Sequence, residues 1–413
     1  MGDSERPRAA RAWVELGLWV LLIFLTVPFV GGFQRWVART IGSAAFGWAV
    51  VATVLGVGAL LLGGPWRRQV PRSAWPWLAG VAVVYLAWTA LLWSSTAETV
   101  HLVEYAVLGL LAFRALGQRG ADWGVVASAA LVGSLVGVTD EVVQWLTPNR
   151  VPDLRDMTIN AGAASLVQLA IIRLVPGPLP RPDIRSLRRT LRLAAALAVL
   201  LALCLAATPA RVNALVSRYP AIAFLARNPE PMCEYGYAYH DPEIGRFKSR
   251  FAAADLARLD AQRGTEVAAI LDRYPEGRVA AFLREMPSGR DPFTHEARVH
   301  IHNRDFHLVQ ARAHAKDAVR LRDHATLAWR EQRILERYFP TTMAASKKHQ
   351  VKGWRLALME RNHDPTQDFV SKAGIRIVTR FSESGARLFL TVVAIALLGA
   401  DLSLGWRSRP CPP

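Results

Sequence analysis

The chain has 413 residues, 52% of them hydrophobic, with 14 Trp and a formal net charge of +17. So much apolar residue excludes a disordered chain, and the placement of the charge excludes a nucleic-acid-binding stripe. Residues 210–385 carry 29 Lys/Arg against 21 Asp/Glu, intermixed, and much of the remaining basic excess flanks apolar runs, as at Arg67, Arg68 and Arg72 and again at Arg173, Arg181, Arg185, Arg188 and Arg189.

That flanking bias is the positive-inside pattern of a membrane protein, so membrane lipids are an expected partner and nucleic acid is not. A hydrocarbon core about 30 Å thick needs roughly 20 mostly apolar residues in a helix. Spans are predicted at 12–31, 45–64, 77–95, 99–116, 123–147, 157–175, 190–209 and 386–405. The expected fold is an all-α integral membrane protein with about eight transmembrane helices and a mainly helical polar domain, 210–385, inserted before the last span. Residues 1–76 would hold the N-terminal spans, 77–175 a helical core, 176–209 a basic loop and the seventh span, and 386–413 the last span with a short tail.

Charge bias places the N-terminus and the 65–76, 114–122 and 176–189 loops in the cytoplasm. A 32–44 loop carrying Arg35 and Arg39 fits that orientation poorly. With eight spans, the polar domain and the turn near residues 140–156 lie outside. The first apolar run follows Arg6, Arg8 and Arg11 with no small-residue cleavage site after it, which reads as a retained span. Cys204, Cys233 and Cys411 give no disulfide framework; Cys233 is expected as a lone thiol of the polar domain, and Cys411 as a cytoplasmic one.

Spans one to three are packing material rich in Leu, Val, Ala and Gly, with Trp75, Trp77 and Trp93 as interfacial anchors. The fourth span differs, because His101, Glu104 and Tyr105 share one helical face. Glu104 either sits solvated at the interface or faces the next cluster. The fifth span ends in Asp140, Glu141 and Gln144; Asp140 and Gln144 share a face, and Glu141 lies about 100° round the helix. Two adjacent carboxylates near a low dielectric repel unless a cation relieves them, and Arg150 and Arg155 are the nearby cations. Pro148 and Pro152 force an extended turn, after which Asp153 or Asp156 can cap the sixth helix, with Asn160 one turn beyond Asp156. A capped, ion-paired hairpin would account for part of this. Eight polar groups between residues 140 and 160 exceed what capping requires. Charge so near a bilayer is a functional-site hypothesis.

The pattern His101-x-x-Glu104-Tyr105-x-x-Leu108-Gly109, then Asp140-Glu141-x-x-Gln144, then Arg150 and Asp153-x-x-Asp156-x-x-x-Asn160-x-Gly162, resembles the VanZ-like family. The family is named for a member that contributes to teicoplanin resistance. The resemblance covers roughly residues 77–175, and Arg155 adds a basic residue beside the usual acidic positions. It implies a multi-pass protein of the bacterial cell membrane acting near the envelope. It supplies no catalytic mechanism and does not extend to residues 176–413.

The arginines before span seven either bind anionic headgroups or simply set topology. In the polar domain, Ile244, Phe247 and Phe251 recur at helical spacing, as do Val267, Ile270, Leu271 and Tyr274. A long helix is expected from Ala313 to Tyr338, ended by Pro340, and a small hairpin from 297–302 and 306–310. Tyr235, Tyr237 and Tyr239 alternate as packing residues of an extended segment. His300 and His302 would share a strand face near His295, Glu296 and His307, but HEARVH is not a zincin motif, and neither a metal nor a cofactor is expected. No nucleophile elbow, Walker loop or dinucleotide fingerprint occurs.

Three functions stay open. The first is an envelope protein binding a lipid-linked or cell-wall ligand through the acidic/basic turn, with 210–385 docking an envelope protein partner. The second is a membrane enzyme on the same class of substrate, with Glu104, Asp140 or Glu141 as general base. The third is proton-coupled transport, since intramembrane carboxylates also relay protons.

Overall fold

The computed structural model describes residues 5–64, 67, 70–93, 98–148, 150–175, 177–228 and 230–407. Arg68, Cys411 and the side chains of Arg6 and Arg8 lie outside the described residues. Two compact units divide the chain, residues 1–204 with 387–413 and residues 205–386.

Among its described residues, the regular elements of the first unit are all helices. It comprises α1 (Glu5–Thr40), α2 (Ala45–Gly63), α3 (Trp75–Leu91), α4 (Thr99–Leu116), α5 (Trp123–Leu146), α6 (Leu154–Leu174), most of α7 (Ile184–Ala206) and most of the C-terminal helix (Glu383–Arg407). Among the described residues, eight helices are long and apolar enough to cross a membrane, as in a multi-pass membrane protein. Helix α1 corrects one expectation. It runs through Gly31-Gly32 to Thr40, so only residues 41–44 remain as a loop and Arg35 and Arg39 are helical. Glycine does not break helices in lipid as it does in water, because the unpaired backbone has no water to turn to.

Helices α4, α5 and α6 form the centre. Half of the apolar window of α5 is buried against 11% for α2, whose other faces are open. Leu102, Tyr105, Leu108, Ala129, Ile159 and Ala163 pack there. Close approach depends on small residues, since lipid tails give helices no hydrophobic reason to associate. A Cβ at Gly137 would meet Asn160 Cβ at 2.6 Å, so α5 and α6 touch backbone to side chain. At the opposite end of the bundle Asp122 caps α5, accepting from Val125 N at 2.7 Å, and also accepts from Ser186 Oγ at 2.6 Å, which ties the start of α7 to α5.

The second unit is mainly helical with two small sheets. It contains α8 (Pro209–Arg218), β1 (Glu234–Tyr235), β2 (Tyr237–Asp241), β3 (Gly245–Ser249), α9 (Ala253–Leu271), α10 (Val279–Glu285), α11 (Pro292–Ala313), α12 (Ala318–Tyr338), α13 (Pro340–Ala345), α14 (Trp354–Asn362) and β4 (Ile377–Val378). Strands β2 and β3 pair antiparallel with Tyr237 opposite Ser249, and β1 pairs parallel with β4 through Glu234 and Ile377. Phe247, Leu256, Leu271, Phe282, Phe293, Ile301, Ile334 and Phe339 build its core.

The expected hairpin and the helical reading of Ile244, Phe247 and Phe251 fail here, and the start of the long helix moves. Residues 297–302 and 306–310 form no hairpin but lie in α11, started by Pro292 and capped by Asp291, which accepts from Thr294 N at 3.2 Å. Ala297, Ile301, Leu308 and Ala311 are its buried stripe, a helical period hidden among β-branched neighbours. Consequently His300 and His302 share no strand face; His300 is buried with Nδ1 2.6 Å from Glu331 Oε2, whereas His302 is exposed. Ile244, Phe247 and Phe251 are not helical. Asp241 Oδ1 accepts from the backbone of Glu243 and Ile244, both at 3.0 Å, and Gly245 at φ 110° closes the β2–β3 turn. The long helix begins at Ala318, five residues after α11 ends, because Asp317 caps it through Val319 N and Arg320 N at 3.2 Å. Pro340 does follow its end. Cys233 is a free cysteine and is buried.

Candidate functional site

The ends of α4 and α5 and the start of α6 meet at one face of the membrane unit. Tyr105 OH donates to Asp140 Oδ2 at 3.3 Å, and Gln144 Nε2 reaches the same oxygen at 3.4 Å. Both contacts are long for hydrogen bonds, so Asp140 is held loosely although it is buried. His101 Nδ1 lies 3.5 Å from Glu104 Oε2, one helical turn apart on α4.

Glu141 is held quite differently. Its Oε1 accepts from Gln144 Nε2 at 2.7 Å and its Oε2 from Asp153 N at 2.8 Å. It therefore braces the turn from inside, with none of its side chain exposed. Asp153 is the N-cap of α6 and accepts from Arg155 N at 2.8 Å. Arg150 Nη2 donates to Gln144 Oε1 at 2.8 Å, so Gln144 bridges the carboxylates on one side and a guanidinium on the other. Arg155 turns away to Glu98 Oε2, at 3.2 Å, and is half exposed.

Asn160 is fully buried beside Gly137 and Tyr105, and neither its Oδ1 nor its Nδ2 has a hydrogen-bond partner. A buried amide without partners costs free energy unless something else satisfies it. Asp156 sits in the first turn of α6, partly buried, between Asn160 and the cap.

His101, Glu104, Asp140, Gln144 and Arg150 open onto a cavity of about 380 Å³. Trp19, Ile23, Val27, Val30 and Phe33 of α1, with Phe46 of α2, supply an apolar wall, while His101, Glu104, Asp140, Gln144 and Arg150 supply the polar end. Trp19 Nε1 donates to the Glu104 carbonyl at 3.1 Å, fixing the wall against α4. Gly31 makes room for the arginine, since a Cβ there would lie 3.3 Å from Arg150 Nη1. An apolar trough ending in two carboxylates, an imidazole and a guanidinium suits an amphiphile.

No protein family, curated protein or solved structure matches this chain.

The residues singled out from sequence divide into three groups. His101, Glu104, Asp140, Gln144 and Arg150 line the cavity; Tyr105, Glu141, Asp153, Asp156 and Asn160 lie behind it or in the turn and the first turns of α6; Arg155 faces outward. Glu104 and Asp140 line the same cavity, and the Glu104 carboxylate lies against His101. Sequence reasoning missed the α1 wall, Gly31, Gly137 and Glu98. A signal existed for Gly137 alone, which stands one turn before Glu141 in a run with Gly133. Among the described residues no three His, Cys, Asp or Glu side chains are grouped to hold a metal ion.

Proposed function

We propose that the membrane unit is a VanZ-like envelope protein that binds a lipid-linked or cell-wall ligand. Its apolar part lies along α1, and its polar head meets His101, Asp140, Gln144 and Arg150. The cavity carries this reading, because one end is apolar and the other holds both charge signs within a single concave surface. Arg150 is the group suited to a phosphate or carboxylate on the ligand, and Glu104 and Asp140 to its hydroxyl or amine donors.

A second reading, an enzyme on the same ligand class, is favoured by one observation. Glu104 and Asp140 line the cavity while Glu141 is occupied by two short hydrogen bonds, so any general base is one of the first two. Binding of a polyprenyl phosphate to the purified full chain in detergent tests the first reading. Stabilisation by the polyprenyl phosphate, lost in R150Q and absent with a neutral polyprenol, is the expected result. Equal stabilisation of R150Q refutes it. Release of a product from a lipid-linked sugar, abolished by D140N or E104Q, would favour the enzyme.

A further inference from the structure

At the other end of the membrane unit, α7 begins with a ladder of arginines. Arg185, Arg188, Arg189 and Arg192, bracketed by Ile184 and Leu193, line a cavity of about 640 Å³. Topology-setting charges need only be present near the interface; they need no built geometry. Here there is geometry. Arg188 Nε reaches Asp401 Oδ1 at 2.7 Å and Arg192 Nε reaches Oδ2 at 3.0 Å, so a single buried carboxylate of the C-terminal helix holds two guanidiniums. A Cβ at Gly405 would meet Arg188 Nη2 at 2.9 Å and Cζ at 3.0 Å, so the missing side chain lets that guanidinium lie flat on the C-terminal helix. Arg189 Nε donates to Ser128 Oγ at 3.2 Å, and its Nη2 is buried with no hydrogen-bond partner. Arg185 is exposed.

Four cations therefore meet one carboxylate in the lining and its direct contacts. The surplus calls for an anion, and the surroundings say which kind. Ile184, Val199 and Leu203 of α7 and Leu398, Leu402 and Trp406 of the C-terminal helix are all exposed apolar side chains on the same two helices. An anion with an apolar tail satisfies both parts. Basic pockets between membrane helices on the basic-loop side bind phosphate headgroups in this way. We propose that the arginine cavity is a binding site for the phosphate headgroup of an anionic phospholipid, with its acyl chains lying along α7 and the C-terminal helix. The site is independent of the cavity beside Asp140, at the opposite end of α5.

The test uses the delipidated full chain in detergent, titrated separately with phosphatidylglycerol, diphosphatidylglycerol, phosphatidylcholine and inorganic phosphate, with bound lipid read by native mass spectrometry. Both anionic lipids are expected to bind in preference to phosphatidylcholine. Each arginine removed, in R185Q and then R185Q/R189Q, should weaken anionic binding about fivefold. R185Q changes an exposed side chain, so its loss of binding is not a loss of fold. R119Q removes the same charge from the loop before α5, at the same end of the bundle but outside the cavity, and should bind as the wild type does. Equal weakening in R119Q and R185Q would reduce the effect to diffuse surface charge and overturn the proposal. So would indifference to lipid charge. Competition by inorganic phosphate at the lipid's own concentration would assign the site to free phosphate and overturn the lipid assignment.

Discussion

Replacing Glu141 by Ala and, separately, Asp140 by Asn should separate a brace from a working group. In E141A the turn loses an acceptor that takes Gln144 Nε2 at 2.7 Å and Asp153 N at 2.8 Å. Asp153 N is left without its acceptor in a partly buried turn, and Gln144 Nε2 keeps only its 3.4 Å contact to Asp140, while Gln144 Oε1 still accepts from Arg150. Each buried group stranded costs about 1–3 kcal/mol, so E141A should lose roughly 3–5 kcal/mol with the lost packing of a fully buried side chain. At about 2–4 °C per kcal/mol, the apparent melting temperature in mild detergent falls by on the order of 10 °C. D140N retains an acceptor for Tyr105, and its two contacts, at 3.3 and 3.4 Å, are weak from the start. Its cost should be about 1 kcal/mol, or a few degrees. Yet D140N alters the charge of the cavity and should lose ligand-dependent stabilisation, which E141A, measured below its melting point, should partly keep. If D140N melts as early as E141A, or E141A melts like the wild type, the division of labour between the adjacent carboxylates is wrong.

Three other outcomes are expected. If the proposed VanZ-like reading extends to teicoplanin, then in a teicoplanin-sensitive Gram-positive host at matched expression the intact chain raises tolerance and D140N does not; equal protection by both would detach the Asp140 site from envelope-ligand handling, and protection by neither would confine the resemblance to architecture. Asp260 takes Thr341 N at 2.6 Å, Thr342 N at 3.0 Å and Thr342 Oγ1 at 2.6 Å, so D260A should destabilise the second unit by about 3–5 kcal/mol, seen as faster proteolysis between α9 and α13, and unchanged proteolysis would refute it. The second unit should also weaken in acid. Burial and the neighbouring His324 lower His307 from 6.5 to about 4, so the fold holds it neutral while the unfolded chain takes up a proton. That stability is complete above pH 6.5 and is lost as the pH falls toward about 4; Glu234 and Asp241, held low against burial by Arg250 and Arg337, lose theirs at still lower pH and in the same direction. Limited proteolysis of the second unit at pH 7 and pH 5 checks this, with H307Q flattening the difference; greater resistance at pH 5 would reverse the sign.

The apolar spans were legible because the bilayer imposes a length and a composition that few other constraints mimic. The turn was legible because Asp140 and Glu141 stand at the end of one such span and Arg150 and Asp153 in the turn to the next, where charge has no ordinary reason to be. The division of roles inside it was not. Asp140 and Glu141 are neighbours with the same chemistry, and only the path of the chain through Pro152 to Asp153 N decides which one is tied down. The α1 wall was invisible for a related reason, since Ile23 and Val27 facing a cavity look like Leu25 and Phe29 facing lipid. In the second unit, Val299-His300-Ile301-His302 alternates as a strand would, but the Asp291–Pro292 start and the buried stripe through Leu308 make it a helix. The spacing of Ile244, Phe247 and Phe251 misled in the other direction, because one Asp–Gly turn outweighs a short periodicity.

The length of α1 has a consequence for the cavity beside Asp140. Its membrane segment, Ala9–Thr40, has 32 residues. At 1.5 Å per residue it is about 48 Å long, against a hydrocarbon core of about 30 Å. Even a tilt of about 40° leaves a projection near 37 Å, longer than the core, and Phe33, Gln34, Arg35 and Trp36 lie toward the C-terminal end of that segment. Phe33 and Gln34 are also cavity walls. Where that end overhangs the core, bilayer thickness sets how much of the cavity mouth is immersed: a thicker membrane would draw Phe33 into acyl chains and open the trough sideways to lipid, and a thinner one would leave its entrance among headgroups and water.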